Sequence, residues 1–292
     1  LPPTGEKLSG MSWSRLEALE ELEGVVDDID NARDLHTIGG WRILASLLAA
    51  DRQAGGGVLT PAERAGVAYV MGTATKNSYD FQLWALEELM GADQDLSTGQ
   101  DKGTVLSGLV HLLAHGTDVE RRRSLYAIAS ITRGNQEVQT ALQLPPATGA
   151  GETTGTYVDF NAILYGLASD AVSFDLNRKL WTFIADMVEE AAYIQASRAE
   201  MVAEAVQQGA DVDDVIAQLR ALKPLGRTFC SAQWRQKLLS AVLKGIDRLT
   251  ALRASDEKGA EFSVIRATVD SELTAMAAVT DACDTGDNTP YF

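Results

Sequence analysis

The chain has 292 residues, of which 46% are hydrophobic, and its 25 Lys and Arg against 41 Asp and Glu give a formal charge of −16. This charge argues against sequence-independent binding of nucleic acid, because a phosphate backbone is repelled except at a local basic patch. No apolar run approaches the roughly 20 residues of a membrane-spanning helix, so a soluble protein is expected. The numbering begins at Leu1 without an apolar leader, and any signal peptide is expected to have been removed already.

In chain order, almost every periodic segment has helical spacing. Apolar residues recur three and four positions apart in 16–29, 43–48, 67–71, 83–90, 105–113, 125–131, 163–167, 180–188 and 238–252. No convincing alternating strand pattern is present, so the sequence predicts an all-α fold. Three stretches rich in Gly, Thr and Pro are predicted to be surface loops, namely 51–61, 92–103 and 145–156.

The acidic run "DDIDNARD" (27–34) suggests a calcium-binding loop, but the following residues do not fit one. Ala32, Arg33 and Gly39 stand where such a loop needs Asp or Asn, Gly and Glu. A solvated helix face is the favoured interpretation. The segment "NARDLHTIGG" (31–40) is then the end of one long helix, and a glycine supplies the tight turn into the next helix.

Two internal shifts reveal a repeat among the longer helices. A shift of 57 residues places 63–76 on 120–133, so that Glu63 aligns with Glu120, and a further shift of 56 residues extends the pattern to 178–188. One such unit cannot bury its own apolar face, so units must stack on one another.

The repeating unit consists of a short helix, a variable loop and a longer helix. The short helices are predicted over 43–48, 108–113 and 163–168. The sequence therefore predicts an armadillo-like α-solenoid of about four to five repeats, with a concave face lined by the longer helices. This domain is predicted to span 12–283, between flexible segments at 1–11 and 284–292.

Histidines provide the strongest suggestion of catalytic chemistry. His111 and His115 lie four residues apart on one helical face, a spacing that can bind zinc, but the Glu of a zinc hydrolase is missing between them. Partly exposed helix histidines are the favoured interpretation. No G-x-S-x-G, C-x-x-C, G-x-G-x-x-G or P-loop motif occurs, so the protein is expected not to be an enzyme and to need no cofactor or metal.

A second, polar stripe runs along the longer helices beside the apolar one. In 120–133 it consists of Arg122, Tyr126, Ser130 and Arg133, at steps of four, four and three residues. In an armadillo stack this stripe faces the concavity, where recurring aromatic and Arg residues are typical interface anchors; simple solvent exposure is the alternative. With the equivalents in neighbouring repeats, the predicted partner-binding residues are Tyr69, Thr73, Lys76, Arg122, Tyr126, Ser130, Arg133, Arg178, Thr182 and Asp186.

The two cysteines, Cys230 and Cys283, flank the last helical region. They are interpreted either as small residues on helix faces or as one disulfide that pins the C-terminal segment. The disulfide is possible only in an oxidising compartment. Two cysteines do not form a disulfide framework, so the sequence leaves the compartment open.

The opening segment "LEELEGVVDDIDNARDLHTIGGW" (19–41) resembles the first repeat of the armadillo-type nucleotide exchange factors of heat-shock 70 chaperones. The pattern residues are Ile29, Asp30, Asn31, Ala32, Asp34, Leu35, Gly39 and Gly40. The segments "AYVMGTATKN" and "RRSLYAIASITR" resemble the next two long helices of that family. The segments "TFIADMV" and "FCSAQWRQKLL" are more similar to the lumenal, BiP-associated (SIL-type) members than to the cytosolic ones.

The resemblance covers roughly 16–252 and implies a function without catalysis. A rigid concave solenoid would clamp one lobe of the nucleotide-binding domain of a BiP-like chaperone and promote ADP release. It also implies a monomer in the lumen of the endoplasmic reticulum, with the cytoplasm as the alternative, and no nucleic-acid or membrane partner. The C-terminal "DNTPYF" carries no Lys-Asp-Glu-Leu-like retrieval signal, which leaves retention open.

The main alternative function is a groove for extended peptides of the importin type. Importin-like grooves use a ladder of Trp and Asn on their third helices. In this chain the Asn-equivalent positions are Thr73, Ser130 and Asp186, and the Trp-equivalent positions are Tyr69, Tyr126 and Thr182. The ladder is therefore absent.

Overall fold

The computed structural model describes residues 13–53, 57–76, 78–87, 104–143, 159–168, 173–209, 211, 224–254 and 260–284. The helices are α1 (Arg15–Val25), α2 (Ile29–Thr37), α3 (Gly40–Gln53), α4 (Pro61–Thr75), α5 (Tyr79–Gln82), α6 (Val105–His115), α7 (Asp118–Thr132), α8 (Gln136–Ala141), α9 (Phe160–Leu167), α10 (Phe174–Gln207), α11 (Pro224–Phe229), α12 (Ala232–Ala254) and α13 (Ala260–Asp284). These residues form no β-strand, which confirms the all-α prediction.

The chain divides into two compact units. The first contains α1 to α7 and the second contains α9 to α13, while α8 crosses the boundary after Val138. The single domain predicted over 12–283 stays a prediction. The predicted loops 92–103 and 145–156 lie outside the described residues, and part of 51–61 belongs to α3, which continues to Gln53.

The first predicted helix is interrupted. The sequence predicted a continuous helix over 16–29, but α1 ends at Val25 and α2 begins at Ile29. Asp28 causes the break, because its side chain accepts hydrogen bonds from the backbone N–H groups of Asp30 (2.9 Å) and Asn31 (3.2 Å) and so caps a new helix. One carboxylate of the acidic run therefore has a structural role.

The turn from α2 into α3 uses glycine, as predicted. Gly39 has φ +84°, a left-handed conformation that costs a glycine little. The backbone N–H groups of Ile38 and Gly39 donate to Asp34 and His36 of α2. At the next position a side chain would not fit, because a Cβ on Gly40 would lie 2.2 Å from Leu35 Cδ1.

The repeat correctly predicted how the first unit is packed. Helices α4 and α7, which the 57-residue shift superposes, lie side by side, and α6 packs against α7. This is the nearest-neighbour stacking of an α-solenoid. The third aligned segment, 178–188, is part of α10 in the second unit, and that helix extends to Gln207.

In the segment 83–90, which was predicted to be helical, the structure has a short 3₁₀ turn at Leu83–Leu86, and 88–90 lie outside the described residues. Tertiary packing fixes this turn, because the Trp84 ring stacks on His36 at 4.1 Å and on Phe81 at 4.2 Å between ring centroids. Local periodicity contains no information about such stacking.

A buried glutamate ties α4 to the helix one repeat before it. Thr60 and Glu63 form a capping box in which Glu63 Oε2 accepts hydrogen bonds from the Thr60 backbone N–H (2.7 Å) and hydroxyl (2.9 Å). The other oxygen, Oε1, lies 3.0 Å from Arg15 Nε on α1. Glu63 is only 5% exposed, and both of its oxygens are paired, as a buried charge requires.

The same arrangement recurs one repeat later. Glu120 Oε2 accepts from the Thr117 backbone N–H and hydroxyl, both at 2.6 Å, and Glu120 Oε1 accepts from Arg64 Nε on α4. Burial raises the pKa of Glu120, but the hydrogen bonds from Thr117 and Arg64 together outweigh burial, so the pKa lies below its ordinary value of 4.5. We call these two Arg–Glu pairs the capping ladder. It aligns the starts of α1, α4 and α7, which therefore run parallel.

The second unit has an aromatic core. Rings of Trp181, Phe183, Phe229 and Trp234 meet edge to face, with centroids 5.1 Å apart for Phe229 and Trp234 and 6.5 Å apart for Trp181 and Trp234. Helix α13 packs along both α10 and α12. Together these contacts hold the long helix α10 in place.

The cysteines form a disulfide, so the second of the two interpretations is confirmed. Cys230 and Cys283 are bonded, with their Cα atoms 5.6 Å apart. The bond joins the start of α12 to the end of α13 across a sequence separation of 53 residues. None of the described helices has the length and apolar composition of a membrane span.

Replacing Glu120 by Gln is expected to lower the free energy of unfolding by about 1–3 kcal/mol at neutral pH, because charged hydrogen bonds are lost. The ionised carboxylate stabilises the fold above its unfolded pKa, and this contribution disappears as pH falls through the lower folded pKa. The deficit should therefore shrink below about pH 4.5 in urea unfolding curves. Glu20→Gln, at an exposed position on α1, is the control. A deficit that does not change with pH would contradict this role of Glu120.

Replacing both Cys230 and Cys283 by Ser should lower the stability by about 2–5 kcal/mol, because the unfolded chain is no longer cross-linked. Thermal unfolding measures the loss, and wild-type protein in reductant should unfold like the variant. Equal melting temperatures for oxidised wild type and variant would show that the disulfide contributes no stability.

Candidate partner-binding site

Helices α4 and α7 approach so closely that a glycine is needed between them. A Cβ on Gly72 would lie 2.7 Å from Ala127 Cα and 3.0 Å from the Tyr126 ring. This close approach brings the Tyr69 and Tyr126 rings to 5.1 Å between centroids. The Arg123 guanidinium lies over the Tyr69 ring at 3.5 Å, a cation–π contact that extends the aromatic surface.

A chain of hydroxyl groups fixes the position of Tyr126. Thr73 Oγ1 donates to Glu23 Oε1 at 2.9 Å and lies 3.3 Å from the Tyr126 hydroxyl. The single proton of Thr73 goes to Glu23, so Tyr126 donates to Thr73. Thr73 is 2% exposed, so a partner would be affected by it only through the side chains that it positions.

A cavity of about 250 Å³ opens where α4 and α7 end. Its lining residues are Lys76, Gln82, Tyr126, Ala129, Ser130 and Arg133. Lys76 and Arg133 are the C-cap residues of α4 and α7, positions at which cations complement the helix dipole. The cavity thus combines two cationic side chains with hydroxyl groups and a small apolar surface.

Buried Gln82 fixes one wall of this cavity. Its Nε2 donates to the backbone carbonyls of Ser130 and Arg133, both at 2.9 Å, and Gln82 is 3% exposed. These carbonyls lie at the end of α7, where they would otherwise lack helical partners. Gln82 therefore supports the α7 end and satisfies acceptors that would repel an anion.

Lys76 forms an ion pair with Asp27, which comes from the turn between α1 and α2. The hydrogen bond to Asp27 is the main cause that raises the pKa of Lys76 above 10.5, and burial opposes it. The side chain of Asp27 is 60% exposed. A solvent-exposed carboxylate thus pairs with one of the two cations of the cavity.

The predicted residues divide between the two units. Tyr69, Thr73, Lys76, Tyr126, Ser130 and Arg133 lie together along α4 and α7. Arg122 pairs with Asp118 one turn before it, with 3.2 Å between Arg122 Nε and Asp118 Oδ2. In the second unit, Arg178 lies 3.8 Å from Asp175, and Thr182 donates to the Arg178 carbonyl at 3.0 Å. Asp186 is half-buried on the same helix, and partner binding by all ten residues stays a prediction.

Sequence reasoning missed four contributors to this site: Glu23, Asp27, Gln82 and Arg123. Asp27 belongs to the acidic run that was interpreted as a solvated face, and its contact with Lys76 spans 49 residues. Arg123 lies next to Arg122 in a run of three arginines. Helical spacing predicted that Arg122 shares a stripe with Tyr126. In the structure, Arg123 is the arginine that contacts Tyr69 on α4.

The histidine pair forms a ring contact, with His111 and His115 centroids 4.8 Å apart. Across the described ranges, no group of three or more His, Cys, Asp or Glu side chains is arranged to hold a metal ion.

No protein-family model matches the chain, and the search of curated proteins finds no significant match. Among solved structures, the chain is similar to a designed armadillo repeat protein in complex with the peptide (KR)4, at 16% identity and a TM-score of 0.42. That match covers 89% of this chain and 91% of the designed one.

Replacing Gly72 by Ala is expected to destabilise the protein by about 1–3 kcal/mol, because the added methyl group forces α4 and α7 apart. Chemical denaturation measures the change. Gly24→Ala on α1 is the matched control, since nothing lies within 4 Å of its Cβ, and it should be neutral or stabilising by about 1 kcal/mol. Equal stability of the two variants would contradict the close packing at Gly72.

Proposed function

We propose that the protein is a nucleotide exchange factor that clamps the nucleotide-binding domain of a BiP-like heat-shock 70 chaperone and promotes ADP release. The observation that carries this proposal is the surface of Tyr69, Tyr126 and the adjoining cavity on α4 and α7. It lies on the two helices whose sequences resemble those of the exchange-factor family. Buried aromatic and Arg anchors are the residue types that dominate such interfaces.

The rigidity of this surface supports the proposed mechanism. An exchange factor acts by binding the open conformation of the chaperone more tightly than the closed, ADP-bound one. Linkage then requires that it weaken ADP binding by the same factor by which ADP weakens its own binding. A soft surface would adapt to both conformations and lose this discrimination. Gly72, Thr73 and Gln82 each restrict movement of the α4–α7 surface.

The proposed mechanism requires no bond chemistry from this protein, so we propose that it is not an enzyme. We further propose that it acts as a monomer in the lumen of the endoplasmic reticulum. The Cys230–Cys283 disulfide supports an oxidising compartment, because such bonds persist mainly in secreted and lumenal proteins.

A groove for basic extended peptides is the second candidate. Glu23 and Asp27 favour it, because their carboxylates border the Tyr126 site. Lys76 and Arg133 oppose it, because both cations line the cavity itself. The designed armadillo protein named above binds a basic peptide, and a direct binding measurement distinguishes the two functions.

Stopped-flow release of a fluorescent ADP analogue from the lumenal chaperone is the decisive measurement. Saturating protein should accelerate release, and a coupling of about 1–3 kcal/mol corresponds to roughly 5- to 150-fold weaker nucleotide binding. Tyr126→Ala should weaken chaperone binding by about 1–3 kcal/mol. Tyr193→Ala is the control, since Tyr193 is 71% exposed on α10 and outside the site.

An unchanged release rate, together with binding of the peptide (KR)4, would reject the exchange-factor proposal and favour the peptide groove. Normal affinity of a folded Tyr126→Ala variant would remove Tyr126 from the interface.

A further inference from the structure

Two cationic side chains line the cavity at the ends of α4 and α7, although the protein as a whole is acidic. The chain carries a formal charge of −16, yet Lys76 and Arg133 both line this cavity, together with the hydroxyl-bearing residues Tyr126 and Ser130. Long-range electrostatics disfavour approach of an anion to this protein. Any anion that binds here must therefore be recognised by short-range contacts.

The structure already contains one carboxylate in contact with this cation set. Asp27 Oδ1 accepts a hydrogen bond from Lys76 Nζ across 49 residues of sequence. The Asp27 side chain is 60% exposed and the Lys76 side chain 36% exposed. Exposed ion pairs of this kind contribute little net stability, so another carboxylate can replace Asp27 at small cost.

At the end of α7, hydrogen bonds from Gln82 reduce the repulsion that the helix C-terminus would exert on an anion. The C-terminal end of a helix normally disfavours negative charge because its last carbonyl groups have no helical partners. Here Gln82 donates to two of those carbonyls, from Ser130 and Arg133. The Arg133 guanidinium can form paired hydrogen bonds with a carboxylate, a geometry that Lys76 cannot provide.

We propose that this cavity binds an Asp or Glu side chain of the partner protein and that Asp27 is an internal competitor, which the incoming carboxylate displaces from Lys76. The cavity has a volume of about 250 Å³, well above the roughly 10–15 Å³ on the same probe measure that one water molecule needs. The identity of the partner as the chaperone rests on the proposed function. The recognition of a carboxylate rests only on the cavity.

Removal of the competitor provides the sharpest test. Asp27→Asn should tighten binding of the chaperone about threefold at low ionic strength, because Lys76 no longer has to release an internal carboxylate. Asp30→Asn is the matched control. It removes the same charge from the same acidic run, but Asp30 pairs with Arg33 at 2.8 Å. The double variant Lys76→Ala/Arg133→Ala should bind about tenfold more weakly.

A peptide probe separates this inference from the proposed function. Fluorescence anisotropy is measured with a labelled Gly-Asp-Glu-Gly-Asp-Glu peptide and with its uncharged Gly-Asn-Gln-Gly-Asn-Gln counterpart. The acidic peptide should bind more tightly to Asp27→Asn than to Asp30→Asn, and more weakly to the double variant. Circular dichroism melting confirms that each variant is folded.

The two proposals fail in different ways. Absence of chaperone binding, with the acidic peptide following the expected order, would reject the exchange-factor function and support the carboxylate pocket. Chaperone binding that is equal for Asp27→Asn and Asp30→Asn and unaffected in the double variant would overturn the carboxylate pocket and leave the function standing. Equal binding of both peptides would also overturn it.

Discussion

The first unit depends on a carboxylate whose two oxygens serve two different helices. In Glu63 and Glu120, one oxygen caps the helix to which the residue belongs, and the other accepts a charged hydrogen bond from an Arg one repeat earlier. Removal of one partner would leave a buried charge unpaired, so each helix start is fixed relative to its neighbour. Because α4 and α7 are parallel and have the same length of 15 residues, their ends are aligned as well. The cavity lies at those ends.

The two units stabilise their helices by different means. In the first unit, polar contacts between repeats set the register, and small residues such as Gly72 allow close approach. In the second unit, edge-to-face rings around Trp234 fill the core, and the Cys230–Cys283 bond ties α12 to α13. A unit held by hydrogen-bonded charges keeps a fixed geometry, because directional contacts tolerate little displacement. This property suits the proposed role, in which the surface would distinguish between two conformations of a partner.

Much of the first unit could be predicted because it depends on local backbone preferences and on a repeat that is visible in the sequence. The 57-residue shift paired Tyr69 with Tyr126, and those rings do touch; the glycine turn at Gly39 followed from backbone sterics. The break at Asp28 was missed because a capping side chain competes with an otherwise helical pattern. The positions of Gln82 and Asp27 depend on contacts 48 to 51 residues away in sequence. A single sequence contains no signal for such pairings, so the cavity could be only partly anticipated from its cationic residues.

The capping ladder also affects how a further repeat could be inserted into such a chain. Helix α4 takes part in both pairs of the ladder, because Arg64 points towards the following repeat and Glu63 towards the preceding one. A tandem duplication that copied α4 whole would place a new Glu beside an existing Arg and a new Arg beside an existing Glu. A chain lengthened in this way would therefore keep the register of its helix starts without any new pairing having to arise on either side of the inserted helix.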